Sequence, residues 1–316
     1  MLPVALDRLF KLGVEEQTRN GPVLRLPGPT ILHYTHPEER VMFWPERNAN
    51  PFFHLYEAFW MLAGREDVAS LTDLLPSMKQ FSDDGEIFNG AYGYRWRKAF
   101  GFDQLTRIVH ALRSNPGCRR QVLQMWSPND LLNGASRDLP CNTHVYFAIN
   151  HEGRLDMTVC NRSNDLVWGA LGANCVHFSV LQEWMAAWIE VPLGNYYQFT
   201  NNLHGYLTTA EPLRDLVLQA GQADPYSLGY VCPTPLGKMP LTDAEGYLRG
   251  MGTGTPFTED VLRPAVAAYT ARKHNYDRAL RLCEEIQASD WRKACTEWME
   301  RAIMRLERAK ADGVEH

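Results

Sequence analysis

The hydrophobic pattern changes its period along the chain, and each change predicts an element. The stretch "PFFHLYEAFWMLAG" opens on Pro51, closes on Gly64 and is apolar nearly all round, which predicts a buried helix. "FDQLTRIVHALRSNPG" has helical spacing and stops at Asn115-Pro116-Gly117. "RRQVLQMW", "NTHVYFAIN" and "RLDMTVCNRS" read as strands, the last two joined by a hairpin turn across "HEG". "NCVHFSVLQEWMAAWIEV" predicts a long, mostly buried helix, and "GNYYQFTNNLHGY" returns to strand and loop. Upstream, "TRNGPVLRLPGPTILHYTH" mixes turn formers with short apolar runs, the mark of loop plus strands. From about Pro264 the pattern is helical to the end and rich in charge. The expectation is an α+β layout around one sheet, followed by a helical C-terminal extension. No internal repeat or low-complexity segment interrupts it.

Composition narrows the function classes. The 316 residues are enough for one large domain or two ordinary ones, and 45% hydrophobic with 22% charged residues is ordinary for a globular chain. A net charge of -5 argues against general nucleic-acid binding, which uses a basic excess. Seven cysteines, an odd number with no CxxC pair, make neither a disulfide framework nor a structural zinc site. "MLPVALDRLFKLG" lacks the apolar core and cleavage site of a signal peptide, and no apolar run approaches the roughly 20 residues of a membrane span. The expected location is the cytoplasm.

Several residues carry candidate chemistry. Glu57 lies among Phe, Tyr and Trp, where a carboxylate is costly unless paired or partly protonated. It reads either as a satisfied buried acid or as a general acid/base with a raised pKa. Arg19, Arg119, Arg120 and Arg162 each pass as surface residues, yet the last three flank apolar strands. With Ser163 they form a set of forked donors and a hydroxyl suited to a dianionic phosphate. Cys141 follows Pro140 at a strand start. A lone cysteine is most often a small buried apolar group, but neighbouring arginines would make it a nucleophile. His204 and Tyr206 in "NNLHGY" are either a packed loop pair or donors to a sugar hydroxyl. Asn174 either caps a helix or reads an amide edge with its acceptor and two donors.

Taken in order, these segments resemble the thymidylate synthase family, which includes the pyrimidine hydroxymethylases, over roughly residues 15–210. "TRNG" is similar to the phosphate-loop segment, which carries Arg19 over. "YEAFWMLAGREDVASL" resembles the helix with the acid/base Glu57, and "GAYGYRWR" the Tyr-Gly-x-x-Trp-Arg motif with Tyr92. "CRRQVLQMW" resembles the strand whose arginines, here Arg119 and Arg120, reach into the partner subunit's phosphate site. "LPCNTHVYF" gives Cys141 as nucleophile, "NRSNDLVWGALGAN" gives Arg162, Ser163, Asp165 and Asn174, and "NNLHGY" gives His204 and Tyr206. The resemblance implies a mixed sheet packed with helices and a sheet-to-sheet homodimer. It places the catalytic domain at residues 1–260 and the helical extension at 261–316. It also implies a one-carbon transfer from 5,10-methylenetetrahydrofolate to C5 of a deoxypyrimidine monophosphate, with Cys141, Glu57, Tyr92 and Asp165 as catalytic residues.

Three departures shape the substrate and product. Asn142 stands where methylating members have a histidine belonging to the network around O4 of uracil, so it joins the substrate-binding set and leaves the base open. "LPSMKQFSDDG" offers Met78 and Phe81 where methylating members carry Trp against the exocyclic methylene, which favours addition of water in place of hydride. The segment after Gly169 is one residue longer, so that either Asn174 or Ala173 takes the uracil-reading place. No Asp stands there as in cytosine-using members. The familiar C-terminal tail that closes over folate is replaced by the helical extension. The reading is hydroxymethylation of dUMP by a bacteriophage-type enzyme. The alternatives are a dCMP hydroxymethylase or methylase, thymidylate synthase proper, or a non-catalytic nucleotide-binding protein.

Overall fold

The computed structural model describes residues 1–240, 244, 246 and 254–311. Its centre is α6 (Asn174–Ile189), which is too apolar to leave any side in water, and it buries Phe178, Leu181, Trp184 and Met185. Helix α2 (Pro51–Leu62) packs against it. Pro51 supplies the first helical residue of α2, and Asn50 caps it by accepting from the Phe53 amide at 3.1 Å. The other α-helices among the described residues are α1 (Leu2–Leu12), α3 (Val68–Thr72), α4 (Tyr92–Arg97), α5 (Gln104–Ser114), α7 (Leu207–Ala210), α8 (Arg263–Ala271), α9 (Tyr276–Glu284) and α10 (Ser289–Ala311).

The described residues form two sheets where the hydrophobic pattern suggested one. The larger contains β3 (Thr30–Tyr34), β8 (Leu193–Thr200), β6 (Leu155–Asn161), β5 (Asn142–Ile149) and β4 (Val122–Gln124), in that order. Within this sheet, among the described residues, only the β6–β8 pair is parallel. The smaller holds β1 (Val14–Thr18), β2 (Gly21–Arg25), β9 (Leu203–Tyr206) and the two-residue β7 (Asn164–Asp165). After β6 the chain leaves the larger sheet and forms β7 within two residues, and it turns from β8 into β9 as quickly. A two-residue strand has no period of its own, so the second sheet leaves no pattern in the sequence. The expected strand "RRQVLQMW" is also short, since the amides of Met125 and Trp126 both turn onto the Thr143 carbonyl at 2.9 Å.

One face of the larger sheet, with Val145, Phe147, Met157, Val159 and Tyr196, seals the core against α6. The other leaves Ile31, Val122, Tyr146 and Phe199 exposed. Between β5 and β6 the pairing slips by one residue, from Asn142 opposite Asn161 to His144 opposite Cys160. Such a bulge re-aims the strand at its end, and here Asn142 turns fully inward beside Cys141.

The C-terminal helices lie on the same core. Phe52 of α2 meets Tyr269 of α8 and Trp298 of α10 at ring-centroid distances of 5.2 and 5.6 Å. Helix α10 is described to Ala311; the helical pattern expected beyond it falls on residues 312–316, outside the described residues. Among the described residues no helix is long and apolar enough to cross a membrane.

Candidate active site

Cys141 sits between Pro140 and β5, held by backbone contacts from three directions. The Tyr92 phenol, at the first turn of α4, accepts from the amides of Cys141 at 3.2 Å and Asn142 at 3.3 Å. Arg162, just past β6, donates Nε to the Pro140 carbonyl at 2.8 Å and Nη2 to the Leu139 carbonyl at 3.0 Å. The same Nη2 lies 3.7 Å from Cys141 Sγ, and the Arg162 amide donates to the Cys141 carbonyl at 2.9 Å. Burial pushes the thiol up from its ordinary value; Arg162 and then Arg19 draw it down, against Asp138. Burial likewise raises the Tyr92 phenol, which stays neutral and able to accept from the two amides.

This arrangement gives an expected result. In Arg162→Gln, loss of the positive charge beside the sulfur should raise the thiol's pKa further, so alkylation of Cys141 by iodoacetamide should slow at any pH below its midpoint. The midpoint itself should move to higher pH. Peptide-resolved mass spectrometry across a pH series measures this apart from the other cysteines.

Arg19 lies in the exposed turn between β1 and β2, where Gly21 has φ of +116°. The neighbouring Asn20 amide group reaches the Tyr206 hydroxyl at 3.4 Å. Tyr206 and His204 on β9 meet edge to face at 5.4 Å, and His204 Nδ1 lies 3.1 Å from Asn202 Oδ1. Asp165 accepts from the Trp168 amide and, at 3.4 Å, from the Tyr206 amide, so it caps the following turn and ties it to β9. Burial raises its carboxyl, while those amides and His204 oppose the rise. Ser163 is half-buried between Arg162 and β7. Arg19 is near enough to act on the Cys141 thiol, and Asn20, Asp165, His204 and Tyr206 are linked to one another by the contacts just described. Arg119 and Arg120 do not join them: both are exposed ahead of β4, and Arg120 bonds to Cys118.

Residues 166–173 form a wide, π-type turn whose regularity breaks at Leu171 and Gly172. The turn delivers the Asn174 side chain to Asn142, whose Nδ2 donates to Asn174 Oδ1 at 3.2 Å. Glu57 on α2 places Oε2 3.0 Å from His177 Nε2 on α6, out of line for a full hydrogen bond. The neighbouring His54 is kept well below its ordinary pKa by burial, then by His177 and Arg47, and is neutral. Met78 is half-buried against the core and Phe81 is exposed.

Three residues missed by the sequence reading belong here. His177 is one, and a titratable group in a mostly buried helix was its available signal. The others form a pair: the Arg47 guanidinium lies 4.2 Å from the ring centroid of Trp168, which is 53% exposed. Arg47 is buried, donates Nε to the Val167 carbonyl at 3.0 Å, and has no partner for either Nη among the described residues. Burial lowers it to about 10, against Asp165, so it remains charged at neutral pH. An orphaned buried guanidinium beneath an open indole fits a ligand with a flat aromatic ring and a carboxylate tail. Among the described residues no cluster of His, Cys, Asp or Glu could hold a metal ion.

Residues 6–227 match the thymidylate synthase family model. The chain is 43% identical, over 99% of its length and 96% of the relative's, to the deoxyuridylate hydroxymethyltransferase of Pseudomonas phage M6. It is 41% identical to the deoxyuridylate hydroxymethyltransferase of Bacillus phage SP01, over 57% of this chain and 49% of that one. To the thymidylate synthase of Rhodopseudomonas palustris (strain BisA53) it is 30% identical over 42% of this chain and 46% of the relative. With more than half of its residues inside the family model and a near full-length relative in hand, the chain belongs to the thymidylate synthase family.

Proposed function

We propose that this enzyme transfers a one-carbon unit to C5 of dUMP and leaves it as a hydroxymethyl group. The observation that carries the reading is the thiol of Cys141 fixed beside the Arg162 guanidinium, with the Asn174 carboxamide bonded to Asn142, the residue that follows Cys141. The kinship to phage deoxyuridylate hydroxymethyltransferases, and Met78 and Phe81 in place of Trp, support the hydroxymethyl product.

In this reading Cys141 adds to C6 of the uracil, which makes C5 the nucleophile, and it leaves again once C5 carries the new substituent. Arg19, Arg162 and Ser163 hold the phosphate, His204 and Tyr206 the deoxyribose. Glu57, steadied by His177, handles protons and water at the reacting carbon. Tyr92 and Asp165 act by positioning, the first through the Cys141 amide and the second through the turn that bears Trp168. Arg47 and Trp168 would hold 5,10-methylenetetrahydrofolate, which supplies, when bound, a carbon at the oxidation level of formaldehyde. The helical extension assigned to residues 261–316 is described as far as Ala311, and the seven unpaired cysteines suit a reducing cytoplasm.

A mass-spectrometric product assay tests the function, with methylenetetrahydrofolate and either dUMP or dCMP. The expected outcome is dUMP heavier by one formaldehyde equivalent, with folate left reduced. A gain of one methylene with oxidised folate would make it a synthase, product on dCMP would reassign the base, and no product with either would overturn the reading.

The phosphate site is completed by a second copy. Arg119 and Arg120 lie outside their own cleft, and the exposed sheet face of Ile31, Val122, Tyr146 and Phe199 suits a self-complementary contact. Two inactive variants, Cys141→Ala and Arg119→Ala/Arg120→Ala, should therefore recover activity when mixed after mild denaturation, because hybrid dimers contain one intact site. A monomer by sedimentation, or no recovery on mixing, would refute the crossing arginines.

A further inference from the structure

A closed set of buried amides stands behind Asn174, and its polarity can be worked out from groups that cannot be reversed. Gln198 on β8 places Nε2 2.7 Å from the Tyr196 hydroxyl and 3.5 Å from the Ala170 carbonyl. The Tyr196 hydroxyl is 3.2 Å from the backbone carbonyl of Asn174. Backbone carbonyls only accept, so Tyr196 must donate there, and Gln198 must donate to Tyr196 and Ala170. Gln198 Oε1 is thereby left facing Asn164, whose Nδ2 lies 2.6 Å away.

From that point each amide dictates the next. Asn164 Oδ1 accepts from Asn174 Nδ2 at 3.0 Å, and Asn174 Oδ1 accepts from Asn142 Nδ2 at 3.2 Å. Asn142 Oδ1 accepts from Asn161 Nδ2, and Asn161 Oδ1 accepts from the Thr200 hydroxyl at 3.0 Å. Thr200 in turn lies 3.5 Å from Asn164 Nδ2, which closes the ring. Asn142, Gln198, Thr200 and Tyr196 are wholly buried, and Asn161 and Asn164 nearly so, so no water can replace a wrong partner. Gly169 leaves the room: a Cβ there would come within 2.3 Å of Asn164 Oδ1.

We infer that this relay, running from the carbonyls of Ala170 and Asn174 through Tyr196, Gln198 and Asn164, sets the direction of the Asn174 carboxamide and thereby selects uracil over cytosine. The inference rests on the proposed function, in that Asn174 faces the base. Among the described residues the Asn174 side chain has one ring partner on each atom, which leaves one oxygen lone pair and one N–H. Those match the N3–H donor and O4 acceptor of uracil. Cytosine offers an N3 acceptor and an N4 donor, and would need the carboxamide reversed. Reversal sets Nδ2 against Asn142 Nδ2 and Oδ1 against Asn164 Oδ1, two buried repulsions at once. Tyr196 and Gln198 touch no base in this scheme and are positioning residues.

The test is the ratio of kcat/KM for dUMP to that for dCMP, together with the ratio of equilibrium dissociation constants for the two nucleotides. Asn142→Asp presents only an acceptor to Asn174 and so demands the reversed carboxamide. It should lower both ratios by at least about tenfold. Tyr196→Phe removes the main anchor of Gln198 and should lower them in the same direction by less; it decides the matter if Asn142→Asp does not fold. Folded variants that lose affinity for both nucleotides alike, with unchanged ratios, would overturn the relay. Wild-type enzyme that binds dUMP but forms no product would sink the proposed function, while the binding ratios still judge the relay. Wild-type enzyme that binds neither nucleotide would overturn both.

Discussion

Cys141→Ala is expected to lose on the order of a thousandfold or more in kcat/KM on dUMP, with its melting temperature essentially unchanged. The backbone around the sulfur does not depend on the sulfur. Tyr92 holds the amides of residues 141 and 142, and Arg162 holds the carbonyls of Leu139 and Pro140. Removing Sγ leaves all of these contacts in place, so the loss should fall on chemistry and not on folding. Cys141→Ser should be nearly as inactive, because a hydroxyl ionises far less readily than a thiol and is the weaker nucleophile. Titration calorimetry should find dUMP still bound, since the arginines, Ser163 and Asn174 are untouched. An alanine variant retaining more than about a tenth of wild-type turnover would remove covalent catalysis from the proposal.

The nucleophile segment was legible in the sequence because its parts are short and ordered: Pro140-Cys141, the arginine after an apolar strand, the Tyr-Gly motif. The long buried helices were legible for another reason. A helix apolar all round has few places to go but the core, and α2 and α6 are found where the pattern put them. What escaped were relations between distant residues. Arg47 looks like a surface arginine until the turn at 166–173 folds Trp168 over it. Gln198 and Thr200 alternate with tyrosines and phenylalanine on β8, and nothing local marks them as partners of Asn164 and Asn161. Helix α1 was missed although Leu2, Leu6 and Leu9 are spaced to share one buried helix face. The smaller sheet was missed because β7 is two residues long. Asn142, by contrast, was noticed as a departure from a familiar histidine, and the bulge in β5 shows what the change does locally. It brings a short carboxamide into a ring of carboxamides, where both of its polar ends find a partner.

The largest expected effect on stability lies one layer behind the nucleophile. Arg95, three residues after Tyr92 on α4, is buried and makes a bidentate pair with Asp130, Nη1 to Oδ2 at 2.6 Å and Nη2 to Oδ1 at 2.9 Å. Its remaining donors reach the carbonyls of Asn89, at 3.1 and 2.7 Å, and of Met125, at 2.8 Å. Asp130 also accepts from the Ser127 amide at 2.8 Å. One guanidinium thus ties the loop before α4 to the segment after β4, where Trp126 lies 5.7 Å from Arg162. Asp130→Asn leaves that charge buried without its counter-charge and should cost about 3–5 kcal/mol in urea unfolding. Replacing both partners by Met and Leu should not restore stability, because the carbonyls of Asn89 and Met125 would lose their donors. The pH dependence carries the same signature. Burial pushes the Asp130 carboxyl up, but the Arg95 hydrogen bonds and the Ser127 amide outweigh it, and the group titrates below its ordinary value. A depressed folded-state pKa means that the pair's stabilisation is fully present above the unfolded value near 4 and fades as pH falls through the folded one. The gap between wild type and Asp130→Asn should therefore be constant from neutral pH down to about 5 and narrow below about 4. A gap that stays level to pH 3 would mean that the carboxylate's charge is not what holds Arg95, and with it Tyr92, in place.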